Sequence, residues 1–225
     1  MCGRFNVVQH PMMQFLQEIT GQNFSVKTNL NVAPTEQTPV LVKADSFWDL
    51  RYMRWWLIPY LSKEPTSKYA MFNAKSETLE KSSAFREPFR RRRCIFPVSG
   101  YYEWKTEPGV KVPYYIEPES DNGFSFAALW DRWRGNDMVI ESCAIVTAAA
   151  PQSMAAIHNR IPVHLTGDQV SSWVDPNADR KTLIELLAPE IRMPLKVTPM
   201  STLVNNSRNK DERCLEPLGE SVVIK

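Results

Sequence analysis

Glycine is scarce in this chain: 8 residues in 225, against 17 prolines. With no Ser/Gly-rich stretch, no repeat and no low-complexity tract, nothing marks a linker or a domain boundary. No apolar run approaches the ~18 residues of a membrane span. The opening MCGRFNVVQH lacks the apolar core of a secretory signal. The four cysteines, Cys2, Cys94, Cys143 and Cys214, are far apart and form no CxxC pair. That excludes a compact disulfide framework and fits free thiols in a reducing cytoplasm. No two candidate ligands show zinc-type spacing, so neither a metal nor a cofactor is expected. Net charge is only +2, so any case for nucleic-acid binding must rest on local clusters.

Hydrophobic residues make up 43% and charged residues 23%, an ordinary globular balance with enough apolar material for a sizeable core. The length fits one large or two small domains, and without a boundary the reading is one domain over 1–225. The spacing predicts a helix over 11–20, with Met12, Phe15, Leu16 and Ile19 on one face and Gly21 ending it. Strands are predicted at 38–43, 49–57, 93–97, 101–105, 113–117, 124–130, 138–147, 161–165, 195–199 and 221–224. RGND at 134–137 is a hairpin turn between two of them. Short helices fit 76–83, 151–157, 167–174 and 178–187, with Asp168 and Asp179 as caps for the last two. Many closely spaced strands with helices at the edges point to an α+β fold: one β-rich domain, a strongly curved or barrel-like antiparallel or mixed sheet, and flanking short helices.

A cysteine directly after the initiator methionine is the most unusual local feature. Removal of Met1 places an α-amine and a thiol on adjacent carbons of Cys2. Their ordinary pKa values, about 7.7–8.0 and about 8.5, leave both partly nucleophilic near neutrality. With an aldehyde, the amine forms an imine and the thiol closes on the same carbon as a thiazolidine. The competing reading is a small buried hydrophobe that closes the N-terminus onto the core. Asn73, in AMFNAKSET, offers two donors and an acceptor for a polar ligand, or else caps a turn. Gly100, in FPVSGYYEWK, turns tightly and brings backbone close to a ligand. Glu103 lies between Tyr102 and Trp104 in a predicted strand; buried there, its pKa rises toward neutrality and suits proton transfer. Strand alternation equally allows it to face solvent. His158, in IHNRIPV, has polar company that His10 and His164 lack, and its side chain suits acid–base work. FREPFRRRR, with Arg86 at its start and four consecutive arginines, offers phosphate ligands, as does Arg4. Trp55, Trp56, Tyr60, Tyr69 and Phe72 supply aromatics of the kind on which unpaired bases stack. A solvated charged face and ordinary core aromatics are the plainer alternatives.

The set MCGRF, NVAPT (31–35), WLIP (56–59), FNAKSET (72–78), FRRRRC (89–94), SGYYEWK (99–105), IHNRIPV (157–163) and VNNSRN (204–209) resembles the SOS-response-associated peptidase family. The motifs span nearly the whole chain. The resemblance implies a sensor of abasic sites in single-stranded DNA that cross-links to them through the N-terminal cysteine. It implies catalytic roles for Cys2, Asn73, Glu103 and His158, and DNA contacts by Arg4, Asn31, Pro34, Trp55, Tyr60, Leu61, Lys75 and Arg86. Lys75 stands where the family has arginine, Trp56 replaces a glycine, and Leu61 stands in the place of an aromatic wedge. The implied partner is abasic single-stranded DNA, with no membrane. The implied protein is a cytoplasmic monomer that is nucleoid-associated when acting on DNA. Only Met1 precedes Cys2, so little proteolysis is needed to expose it. Two rivals stay open. One is an N-terminal cysteine glutamine amidotransferase, with Asn122-Gly123 as its oxyanion pair if that dipeptide is not simply a hairpin turn. The other is a noncatalytic DNA-binding module.

Overall fold

The computed structural model describes residues 2–45, 47–66 and 69–225. In chain order its strands are β1 (Phe5–Val7), β2 (Asn29–Val32), β3 (Gln37–Ala44), β4 (Phe47–Trp55), β5 (Asn73–Lys75), β6 (Arg93–Val98), β7 (Gly100–Glu107), β8 (Val110–Pro118), β9 (Phe124–Gly135), β10 (Met138–Ala149), β11 (Arg160–Pro162), β12 (His164–Leu165), β13 (Leu195–Pro199) and β14 (Val222–Ile224). They form two sheets. One has the order β14-β13-β8-β7-β1-β2; the other runs β11-β10-β4-β3-β6-β9-β12, with β5 beside β10. β10 also pairs with β9, from Met138↔Gly135 to Ile145↔Ala128. That pairing closes β10, β4, β3, β6 and β9 into a five-stranded barrel and removes their free edges. The barrel is mixed, because β4 and β10 run parallel.

Long β-branched and aromatic runs build the barrel. In β9 the first six residues, FSFAAL, are all buried, as expected of a strand covered on both faces. Its second half alternates, with Asp131 and Trp133 buried and Arg132 and Arg134 exposed. The β9–β10 turn is the RGND hairpin: Asn136 and Asp137 take φ of 50° and 57°, the left-handed pair that a type I′ turn requires. The helix Gln9–Thr20 ends at Gly21, φ 70°, whose N–H donates to Gln17 O. Asp179 caps its helix by accepting from the Thr182 N–H. The barrel and the second sheet meet at an aromatic cluster. Phe5 of β1 packs edge-on against Trp55 of β4 at 4.8 Å and Phe96 of β6 at 5.3 Å.

Five local expectations are corrected. Residues 76–83 form only a single 3-10 turn, Ser76–Thr78, because hydroxyl side chains dominate the segment and only Leu79 of its following turn is buried. The run 161–165 splits at Val163: β11 pairs with β10, and β12 with β9. Asp168 does not cap its helix; Gly167 holds that position at φ 45°. Asn122-Gly123 is not a hairpin turn, since β8 and β9 belong to different sheets and the segment crosses between them. Gly100 likewise serves packing rather than a ligand. It stands where the chain leaves the barrel for the second sheet, and a Cβ there would lie 2.3 Å from the Tyr115 ring. Tyr115 in turn donates to Asn6 Oδ1 at 3.1 Å and thereby steadies β1. Gly100→Ala is therefore expected to destabilise the fold by about 1–3 kcal/mol through overpacking, read as a lowered urea midpoint with unchanged slope.

Candidate active site

Residue 2 is fully buried, although it is two residues into the chain. The cause is β1, which runs between β2 and β7, with Phe5 opposite Val32 on one side and Tyr101 on the other. The Tyr102 N–H donates to Arg4 O at 2.9 Å and extends that pairing by one more residue toward Cys2. From the barrel side, Asn73 Nδ2 donates to Cys2 O at 2.7 Å. Asn73 is itself fixed, because it opens β5, which lies parallel to β10 with Asn73 opposite Ile145. Cys2 Sγ lies 3.9 Å from Arg4 O. Burial, with the nearby Glu103 carboxylate adding to it, pushes the Cys2 thiol well above the ordinary thiol range. At neutral pH the sulfur therefore carries its proton, which must pass to a base before the sulfur reacts.

Glu103 projects from β7 and is 3% exposed. Burial raises its carboxyl to about 7, which places it between donor and acceptor at cellular pH. His158 Nε2 stands 3.9 Å from Glu103 Oε2. The loop before β11 orients this ring. The Arg160 N–H donates to His158 Nδ1 at 3.0 Å, so the neutral imidazole carries its proton on Nε2, the nitrogen facing Glu103. Burial lowers the His158 pKa and favours that neutral form. Arg160 is held in place by Glu77 Oε2 at 3.0 Å and by Thr147 Oγ1 at 3.3 Å. A cleft of about 440 Å³ opens over the pair, lined by Glu103, Trp104, Thr106, Lys111, His158 and Asn205. The four residues expected to be catalytic are thus gathered from the N-terminus, β5, β7 and one loop, at the seam between the two sheets.

The expected DNA contacts divide into buried and exposed groups. Asn31 is fully buried, and its Nδ2 serves the carbonyls of Val204, Asn206 and Asn209 at 3.2, 3.1 and 2.9 Å. Trp55 is also fully buried, with Nε1 on Phe72 O at 2.9 Å. Direct DNA contact by these two side chains is therefore corrected: the apolar packing around Trp55 and the carbonyl cage around Asn31 leave no open face. Arg4 donates to Asn31 Oδ1 and Val204 O, both at 2.8 Å, and braces the VNNSRN segment against β1 and β2. Pro34 is partly exposed, and Lys75 and Arg86 are exposed. Tyr60 and Leu61 are 46% and 76% exposed on a loop anchored through the Tyr60 N–H to Asp131 Oδ2 at 3.0 Å. Of the arginine run, Arg90 and Arg91 face solvent. Arg92 pairs with Asp131 and lies over the Tyr60 ring. Arg93 turns inward to the carbonyls of Phe89, Arg90, Trp173 and Asp175. Phosphate binding by all four arginines is thereby corrected: the last is consumed by two helix C-termini. Asn122 donates to Glu18 on the first helix at 3.4 Å, and no described contact brings it to Cys2. Sequence reasoning passed over Arg160 and Glu77, although both lie inside quoted motifs. It had no means to find Lys111, which the β7–β8 hairpin brings to the cleft.

The fold and site define a class: a β-barrel protein with a buried cysteine at position 2, close to a glutamate that pairs with a histidine at an open cleft. A sequence model described as SOS response associated peptidase (SRAP) matches residues 1–207. The chain is 34% identical over 229 residues to abasic site processing protein YoqW of Bacillus subtilis (strain 168), covering 96% of this chain and 99% of that one. It is 29% identical to abasic site processing protein HMCES of Xenopus tropicalis, over 87% of this chain and 68% of that one. A crystal structure of a protein from Bacteroides thetaiotaomicron superposes with a TM-score of 0.75 at 25% identity, covering 84% and 85%. This chain belongs to the SOS response associated peptidase family. Among the described residues, no helix is long and apolar enough to cross a membrane.

The raised Glu103 pKa has a signed consequence for stability. The folded carboxyl binds its proton more tightly than the unfolded one, whose ordinary value is 4.5. Its stabilising contribution is complete below that value and is lost as pH rises through about 7. Glu103→Gln, which carries no charge at any pH, is expected to gain stability relative to the wild type between pH 5 and pH 8.5, by up to about 3 kcal/mol. Urea melts at the two pH values check this; an unchanged difference contradicts it.

Proposed function

We infer that this protein senses abasic sites in single-stranded DNA and joins to them covalently through Cys2 after Met1 is removed. The observation that carries this reading is the setting of Cys2: Asn73 holds its carbonyl, and the nearby Glu103, paired with His158, lines an open cleft. The names of the relatives YoqW and HMCES support the choice of lesion.

The chemistry balances without a cofactor. The imidazolium form of His158 gives its Nε2 proton to the ring oxygen of the abasic deoxyribose while the Glu103 carboxylate takes the C1′ hydroxyl proton, so the C1′–O4′ bond breaks and the sugar opens to the aldehyde. Glu103 then returns that proton to His158, 3.9 Å away. The freed Cys2 amine attacks C1′. Glu103 relays the amine's proton to the departing hydroxyl, and one water leaves as the imine forms. Sγ then adds to the imine carbon, while the thiol proton passes through Glu103 to the imine nitrogen. One C–N bond and one C–S bond form, and the product is a thiazolidine. A carboxyl at about 7 suits both halves of this relay, since it takes and returns protons with little driving force either way. The buried thiol stays protonated until the imine carbon is in reach, which keeps it from oxidation in the meantime. Exposed Lys75, Arg86, Tyr60 and Leu61 and the partly exposed Pro34 carry the strand, and Leu61 separates bases as an apolar wedge. Arg4 and Asn31 act beneath them as braces. The protein acts as a monomer in the cytoplasm, at the nucleoid when bound to DNA.

The test is denaturing electrophoresis after mixing with intact or abasic single strands, alongside an assay for ammonia from glutamine. A denaturation-resistant shift only with the abasic strand supports the reading. Ammonia release without a shift overturns it in favour of an amidotransferase. Cys2→Ala keeps an amine but cannot close the ring. It is expected to give an imine that needs borohydride to survive denaturation and that nicks the strand by β-elimination; a stable unreduced adduct in this variant contradicts the thiazolidine. Glu103→Gln and His158→Ala are each expected to slow adduct formation about 10²–10⁴-fold with strand binding retained, measured as single-turnover rates against anisotropy.

A further inference from the structure

The cleft over Glu103 and His158 extends well past them, along a stretch of β7 that β1 leaves uncovered. Pairing between β1 and β7 runs through Phe5↔Tyr101 to the Tyr102 N–H on Arg4 O, and among the described residues no strand continues it. Beyond Tyr102 the β7–β8 hairpin projects past the site. Its register sets Trp104 opposite Pro113 and Thr106 opposite Lys111, so all four side chains share one face. On the other face, Lys105 is paired with Glu107 at 3.0 Å. Lys111 is exposed and makes no ion pair with a described residue, and it lines the cleft. Trp104 lines the same cleft as Lys111 and Glu103, although Glu103 projects from the opposite face of β7. The Trp104 Nε1 donates to Asn205 Oδ1 at 2.6 Å, and the Arg4 guanidinium stands 5.9 Å from the ring centre.

We propose that the hairpin end of this cleft, Lys111 with Thr106 beside the Trp104 wall, is a subsite for one phosphodiester flanking the lesion. This rests on the abasic-site reading above. A sugar whose C1′ reaches Cys2 carries a phosphate on each side within the same strand. The cleft is lined at once by Glu103 and Lys111, so one of those phosphates meets a cation that has no ion-pair partner among the described residues. Lysine suits the position, because a point charge is enough for a single flanking phosphate. The Thr106 hydroxyl, directly across the hairpin, supplies a second donor. The subsite thereby fixes the polarity with which the strand threads the site.

The test uses the full chain and a single strand carrying a tetrahydrofuran abasic analogue, which has no aldehyde, followed by fluorescence anisotropy across a salt series. Lys111→Ala is expected to weaken binding about tenfold at low salt. It should also reduce the slope of log K against log salt by about 0.7, the loss of one single-strand phosphate contact. Lys111→Arg is expected to restore both. Trimming the strand up to the lesion on one side, and not on the other, should reproduce the loss and make Lys111→Ala silent. An unchanged affinity and slope in Lys111→Ala overturns the subsite. So does a loss that persists with both flanks trimmed, which would be the effect of general charge. Capture of a small aldehyde by wild-type Cys2 is measured in parallel. Its failure removes the covalent chemistry, while the anisotropy series still decides the subsite.

Discussion

The site depends on how the N-terminus is buried. A chain end normally frays, because it has neighbours on one side only. Here β1 is an interior strand of its sheet, with β2 on one edge and β7 on the other. The Asn73 amide then ties Cys2 O to the barrel. Residue 2 thus becomes a junction between two sheets. The short strand that follows it is locked by Phe5 in the aromatic cluster and by Asn6, which receives the Tyr115 hydroxyl. Preorganisation of this kind holds a reactive group within the narrow tolerance that catalysis needs, and it comes from rigid strands rather than loops.

Burial also sets the electrostatics. It suppresses thiolate formation at Cys2, lifts Glu103 to about 7 and depresses His158. Glu103 alone is brought close to its titration point at cellular pH, while the thiol and the imidazole are held more firmly uncharged than in water. His164 shows what burial does to a histidine, here with the Arg192 charge adding to it. Stacked with Phe124 and Phe126 at 4.6 and 5.3 Å, it is pushed down to about 3 and stays neutral. His158 differs because a backbone N–H fixes its tautomer and an acidic neighbour stands at its other nitrogen.

Much of this was legible in the sequence, and the limits have physical causes. Strand runs such as 195–199 and the RGND turn carry local signals, since β-branched alternation and left-handed φ are written into the residues themselves. The curved, barrel-like sheet was inferred from the density of strands, but its closure depends on β9 meeting β10 along their length, which no single segment announces. Cys2, Asn73, Glu103 and His158 were each visible as a residue type in unusual company. Their convergence came only with the resemblance across eight motifs. The surface expectations were weaker. A tryptophan or an arginine reads the same whether it stacks on a base or fills a core, and Trp55, Asn31 and Arg93 proved to be interior. Lys111 gave no signal at all, because its place follows from hairpin register rather than from its neighbours in sequence.

The central claim is that the amine and thiol of Cys2 capture one aldehyde together. The most direct measurement is peptide-level mass spectrometry of the wild-type protein after reaction with an abasic single strand, with thiol alkylation before digestion. The expected result is an adduct on the peptide beginning at Cys2, equal to peptide plus DNA remnant minus one water, with its sulfur protected from the alkylating agent. An adduct carried by a lysine, or an alkylated Cys2 within the cross-linked peptide, would contradict it.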